Sequence, residues 1–174
     1  MKRFFYLSVC IMVVALCGCT QDVEVIVPHP SLPDGAIAIN INGSISQEYT
    51  TRVDDGGFCD GDQIGLYGVN YTDKNATQGV LVDSGNQVDN ARYTYDEKSM
   101  TWTSSGSVYY KDAETNIDLY GYYPYGTVKS VSEYAFEVQQ DQSGNNAVDG
   151  YAQSDFLWGK ATNVAPSESK VKLK

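Results

Sequence analysis

Gly35-Ala36-Ile37-Ala38-Ile39-Asn40-Ile41-Asn42-Gly43-Ser44-Ile45 is the stretch on which the fold turns. Ile37, Ile39, Ile41 and Ile45 alternate with Ala38, Asn40, Asn42 and Ser44, and Gly43 keeps the register. Period-two alternation with β-branched residues on one face predicts a strand half-buried on a sheet.

Working outward toward the C-terminus, the same period recurs in short pieces. After a polar, glycine-bearing connection through Thr51-Arg52-Val53 and Asp54-Asp55-Gly56-Gly57, residues 63–72 set Ile64, Leu66 and Gly68 against Tyr67, Val69 and Tyr71. Bulk on both faces predicts an inner strand of a sandwich. Gly79-Val80-Leu81-Val82 is a short apolar run. Residues 91–96 and 100–103 flank Glu97-Lys98-Ser99 as a hairpin, with Tyr93 and Tyr95 facing the Trp102 strand. Residues 116–122 set Ile117, Leu119 and Gly121 against Asp118, Tyr120 and Tyr122, and Pro124 ends the run. Further strands are expected at 134–138, at 154–159 with Phe156, Leu157 and Trp158, and at 170–174. No stretch keeps a helical period. Short strands between turn signals predict an all-β fold, a sandwich or barrel. Val171-Lys172-Leu173-Lys174 opens a strand with nothing after it, so the domain is expected to be incomplete at its C-terminus.

Toward the N-terminus, Met1-Lys2-Arg3 is basic, Phe4 to Ala15 carries no charge, and Leu16-Cys17-Gly18-Cys19 follows. That is the layout of a secretory signal. The apolar run is shorter than the ~20 residues a membrane-spanning helix needs. Leu, Gly and Cys at −3, −1 and +1 of the expected cut resemble the lipobox of bacterial lipoproteins, which implies cleavage after residue 18 and lipidation of Cys19. Three acyl chains, at ~0.8 kcal/mol per buried CH₂, make a lasting anchor. Residues 19–34, with prolines at 28, 30 and 33, read as a tether reaching roughly 3 Å per residue, which leaves 35–174 as the folded domain. Thr20-Gln21-Asp22-Val23-Glu24 is either a plain soluble linker or resembles the acidic tract that exports some lipoproteins to the outer surface.

Composition excludes several function classes. The formal net charge of the 174-residue chain is −10, and loss of Lys2 and Arg3 with the signal makes it about −12. A surface so acidic repels phosphate backbones, so no nucleic-acid partner is expected. Once Cys10 and Cys17 leave and Cys19 is lipidated, only Cys59 remains, and no disulfide can form in the body. Cys59 is expected as a small buried residue. The one histidine, His29, lies in the tether, which leaves no His–Cys metal cluster and no Ser–His–Asp triad. Neither a metal, a cofactor nor an enzymatic activity is expected. Asp60-Gly61-Asp62 fails as a calcium loop, because the twelfth position is Tyr71 and not Glu. It reads as a turn entering a strand.

Several blocks together resemble one family. Phe58-Cys59-Asp60-Gly61-Asp62-Gln63-Ile64-Gly65-Leu66-Tyr67 is similar to the F-x-x-G-D-x-I-G-h-Y signature of fimbrillin-like lipoproteins from Bacteroides and relatives. Ile117 to Tyr125 resembles the family's strand ending in Tyr-Tyr-Pro-Tyr. Gln140-Asp141-Gln142-Ser143 and Ser154-Asp155-Phe156-Leu157-Trp158-Gly159 resemble its Q-x-D-Q-S and S-D-h-L-W-A segments. The resemblance covers roughly residues 35–174 and implies a transthyretin-like Greek-key β-sandwich, the N-terminal domain of a fimbrillin. It implies a structural or accessory subunit of cell-surface fimbriae, anchored in the outer membrane by its lipid. The implied partners are other fimbrial subunits and, in adhesion, glycans or proteins of host or bacterial surfaces.

The family also implies maturation by a trypsin-like protease after an arginine in the loop following the first strand. That strand then leaves, and a neighbour's donor strand fills its groove. Arg52, the only arginine between Cys19 and Arg92, is the candidate scissile residue, and Ile37, Ile39, Ile41 and Ile45 mark the groove. Four such side chains represent ~6–12 kcal/mol of burial as an upper bound. The alternative reading is a monomeric surface glycan-binding lipoprotein, with Tyr109-Tyr110, Tyr120, Tyr122-Tyr123 and Tyr125 as a sugar-stacking platform. Convergence of the aromatics on one exposed patch, against dispersal into the core, separates the two.

Overall fold

The computed structural model describes residues 31–43, 57–142, 150 and 152–174. Cys19, Ile45 and Arg52 lie outside the described residues, as do the signal segment and most of the tether.

Seven strands follow in chain order: β1 (Ile41–Asn42), β2 (Gln63–Asn70), β3 (Val88–Asp96), β4 (Thr101–Ser104), β5 (Ile117–Tyr123), β6 (Leu157–Val164) and β7 (Val171–Lys172). One 3-10 turn, Ala152–Ser154, is the helical element among the described residues. The fold is all-β, as the alternation predicts. Strands β4-β3-β2-β5-β6 form an antiparallel five-stranded sheet, and β1 pairs with β7 in parallel. The central place of β2 follows from its sequence. Ile64 and Leu66 are buried on one face, and Tyr67 and Val69 on the other.

The inner face of the sheet carries the main core: Ile64, Leu66, Val88, Tyr93, Trp102, Ile117, Leu119 and Tyr123. Ile39, Ile41, Val108 and Tyr110 close it from the second layer, with Ile37, Val171 and Leu173 packed against its border. Phe58 plugs one end. Its ring meets Trp102 edge-on at 4.9 Å and Tyr123 at 5.6 Å. Leu173 packs over Gly121 on β5, where a β-carbon would come within 2.6 Å of Leu173 Cδ1.

The apolar run 79–82 forms no strand, and Val80 is 79% exposed. Two expectations are corrected. Residues 134–138 are not a strand. They cross the outer face of the sheet as coil, where Tyr134 packs on Tyr122 at 5.3 Å and Phe136 on Phe156 at 5.3 Å. Cys59 is exposed, because Asp62 Oδ2 holds its N–H at 2.7 Å in the turn before β2 begins. The strand expected at 170–174 is present: β7 pairs with β1, and Lys174 exchanges main-chain hydrogen bonds with Lys160 at 2.8 and 3.1 Å.

Candidate functional site

Residues 37–43 lie in a groove with two main-chain walls and an apolar floor. The first wall is Val108–Tyr110. Ile39 N–H donates to the Val108 carbonyl at 3.0 Å, and Tyr110 N–H donates to the Ile37 carbonyl at 3.0 Å, around an antiparallel bridge between Ala38 and Tyr109. The second wall is β7. Ile41 and Asn42 are in register with Val171 and Lys172, and Val171 N–H donates to the Asn40 carbonyl at 2.8 Å. Residues 37–39 therefore pair on one side and residues 40–42 on the other. Removal of the first strand would bare hydrogen-bonding groups along both walls.

The floor belongs to the five-stranded sheet. Ile39 and Ile41 point into it and are 2% and 1% exposed, while Ile37 is half-buried at its border. Two side chains of the sheet also reach the strand's backbone. The Tyr93 hydroxyl donates to the Ile39 carbonyl at 2.7 Å, and the Trp102 indole N–H donates to the Gly43 carbonyl at 3.2 Å. Burial pushes the Tyr93 phenol well above its ordinary range, and burial raises Tyr110 as well. The buried Tyr110 hydroxyl has no hydrogen-bond partner among the described residues.

Ile37, Ile39 and Ile41 thus come together at one site. What sequence reasoning missed is the wall Val108–Tyr110. Its one sequence signal is the Tyr109-Tyr110 pair, since three residues are too few for a period to register.

The motif residues shape the sandwich around this groove. In the turn 59–62, Asp62 N–H donates to the Cys59 carbonyl at 3.1 Å and Gly61 takes φ +89°, a backbone conformation natural to glycine. The Tyr123 hydroxyl donates to Asp62 Oδ1 at 3.2 Å, which joins the entry of β2 to the end of β5. Asp118, fully buried on β5, accepts from Asn163 N–H at 2.7 Å, from the Gln78 amide and, at 3.4 Å, from the Tyr120 hydroxyl. Buried carboxylates require such partners. These interactions satisfy Asp118 internally and fix the bulge where β5 meets β6.

The tyrosines do not assemble into one exposed platform. Tyr110 and Tyr123 are buried in the core, and Tyr122 lies beneath Tyr134.

The sequence profile described as fimbrillin-like matches residues 51–174. No curated protein and no solved structure matches the chain.

Proposed function

The chain belongs to the fimbrillin-like family, and we propose that it is a structural or accessory subunit of cell-surface fimbriae that joins its neighbours by strand exchange. The observation that carries this reading is the position of residues 37–43, held between Val108–Tyr110 and β7 above an apolar floor. A protease of trypsin-like preference would cut after Arg52 and free the first strand. The vacated groove then offers two rows of main-chain donors and acceptors, together with sockets for the side chains of Ile39 and Ile41. A strand of a neighbouring subunit with the same alternation fills both.

The two fully buried isoleucines represent ~3–6 kcal/mol of apolar burial as an upper bound. An unoccupied groove is correspondingly unstable, so strand release is coupled to capture. Cys19 would be the lipidated N-terminus that holds the uncut subunit at the outer membrane, with 19–34 as its tether, and cleavage after Arg52 with departure of the strand would release the subunit from that anchor. The part is structural and needs no catalytic group.

The test uses the full chain with a trypsin-like protease, comparing Arg52→Ala with wild type. Cleavage of wild type alone, followed by SDS-resistant ladders, supports the reading. Identical ladders from both proteins, or none from either, would overturn it.

A further inference from the structure

We infer that Gln87 is a clamp that keeps the wall Val108–Tyr110 in place when the first strand departs, and so positions the groove to capture the incoming strand. The inference rests on the strand-exchange reading and concerns the wall, not the strand. Residues 108–110 belong to neither sheet. One of their edges is committed to the first strand, through the Val108 carbonyl and the Tyr110 N–H. Both bonds are lost when residues 37–43 leave. In an extended chain the main-chain groups of the residue between point the other way. There the Tyr109 carbonyl accepts from the side-chain amide of Gln87 at 3.0 Å.

The fold fixes Gln87 for this task. It directly precedes β3, whose first residue, Val88, is buried and in register with Gly68 of β2. The other end of its amide is held as well. Gln87 Oε1 accepts from Asn70 Nδ2 at 3.0 Å, and Asn70 closes β2 in register with Ile117 of β5. A chain of two hydrogen bonds thus runs from the central strand of the sheet to the outer edge of the wall. Both are partly buried, where a hydrogen bond holds more strongly than on the open surface.

The weight on this amide changes with the state of the groove. In the uncut chain the wall is bonded along both edges, and next to it Ser107 Oγ donates to the Ser31 carbonyl at 3.3 Å. Ser31 leaves in the same piece as the strand. Afterwards the Gln87 amide is the one hydrogen bond among the described residues that still ties residues 108–110 to the sheet, beside the core packing of Val108 and Tyr110. A wall free to shift leaves fewer grooves formed at any moment, and capture weakens in proportion to that fraction. A wall held in register is pre-organised for the next strand.

The experiment treats the full chain with a trypsin-like protease and follows uptake of a fluorescein-labelled synthetic peptide of residues 35–45. Gln87→Ala and Gln87→Glu are compared with wild type. The glutamate can still accept from Asn70 but has no N–H for the Tyr109 carbonyl. Both variants are expected to take up the peptide about tenfold more slowly, while the uncut chains melt within a few degrees of wild type. Amide exchange of residues 108–110 is expected to quicken in the cut variants more than in the uncut ones. Uptake by either variant at the wild-type rate would overturn the clamp alone. So would an equal loss of stability in the uncut chain, because the amide would then serve the closed fold and not capture. Wild type that takes up no peptide after protease treatment would overturn strand exchange, and the clamp with it.

Discussion

The Tyr93 hydroxyl and the Ile39 carbonyl meet at 2.7 Å across the interior of the sandwich, a buried hydrogen bond between the sheet and the backbone of the first strand. It anchors a strand that the proposed function requires to leave, so its strength helps set how readily the groove opens. Tyr93→Phe leaves that carbonyl without its partner and is expected to cost ~1–3 kcal/mol. Ile39→Ala is expected to cost ~2–5 kcal/mol by opening a cavity in the floor. Denaturant titration of both variants measures these losses, and both are expected to speed exchange of the amide protons of residues 37–43.

A second prediction concerns Gly65, the glycine of the Ile64-Gly65-Leu66-Tyr67 motif. The ring of Tyr122 and the amide of Asn90 occupy the space a β-carbon there would take, and the Tyr122 hydroxyl bonds Asn90 Oδ1 at 2.7 Å. Gly65→Ala is expected to destabilise by ~1–3 kcal/mol through overpacking. Tyr122→Ala destabilises on its own, yet combining it with Gly65→Ala should cost less than the two losses added together. A double-mutant cycle by thermal unfolding checks this, and strict additivity would contradict it.

Tyr110 supplies a prediction of opposite sign. Its buried hydroxyl lacks a partner among the described residues, so Tyr110→Phe removes a desolvated polar group without opening a large cavity. The melting temperature is expected to stay the same or rise. A fall of several degrees would contradict the reading.

Alkaline pH should loosen the sandwich through its tyrosines. Burial raises the Tyr93 phenol and pushes Tyr122 up to about 12, so the folded state holds these protons more tightly than the unfolded chain. Their stabilising contribution is complete below the ordinary tyrosine value of about 10 and is lost as pH rises above it. Circular dichroism against pH is expected to show flat stability through neutrality and a decline above about pH 10. Tyr93→Phe should make that decline shallower.

Much of this was legible in the sequence, for identifiable reasons. β2 and β5 alternate over seven or eight residues with large side chains, so their faces could be read directly. The turn at Asp60-Gly61-Asp62 was legible because its residue types are those a turn demands. Tyr134 and Phe136 misled, since alternation reports one buried face and not strand pairing. Those rings pack on Tyr122 and Phe156 from a coil. β6 runs past its apolar start into Lys160-Ala161-Thr162-Asn163, where a solvent-facing edge leaves little hydrophobic signal. Ile39 and Ile41 were legible as the buried face of one strand, and β7 was legible in the alternation of residues 170–174. Val108–Tyr110 is too short to show a period, and only tertiary pairing defines it.

The central claim, that residues 37–43 must leave their groove for assembly, is tested most directly by tying them in place. Asn42 and Lys172 are exposed register partners of β1 and β7, close enough in a parallel pair for a disulfide to join cysteines placed there. The variant Asn42→Cys with Lys172→Cys, in a Cys59→Ser background, would be treated with trypsin-like protease under oxidising and reducing conditions. SDS-resistant ladders are expected only after reduction, when the cut strand can depart. Equal ladders with the disulfide intact would contradict strand exchange at this groove.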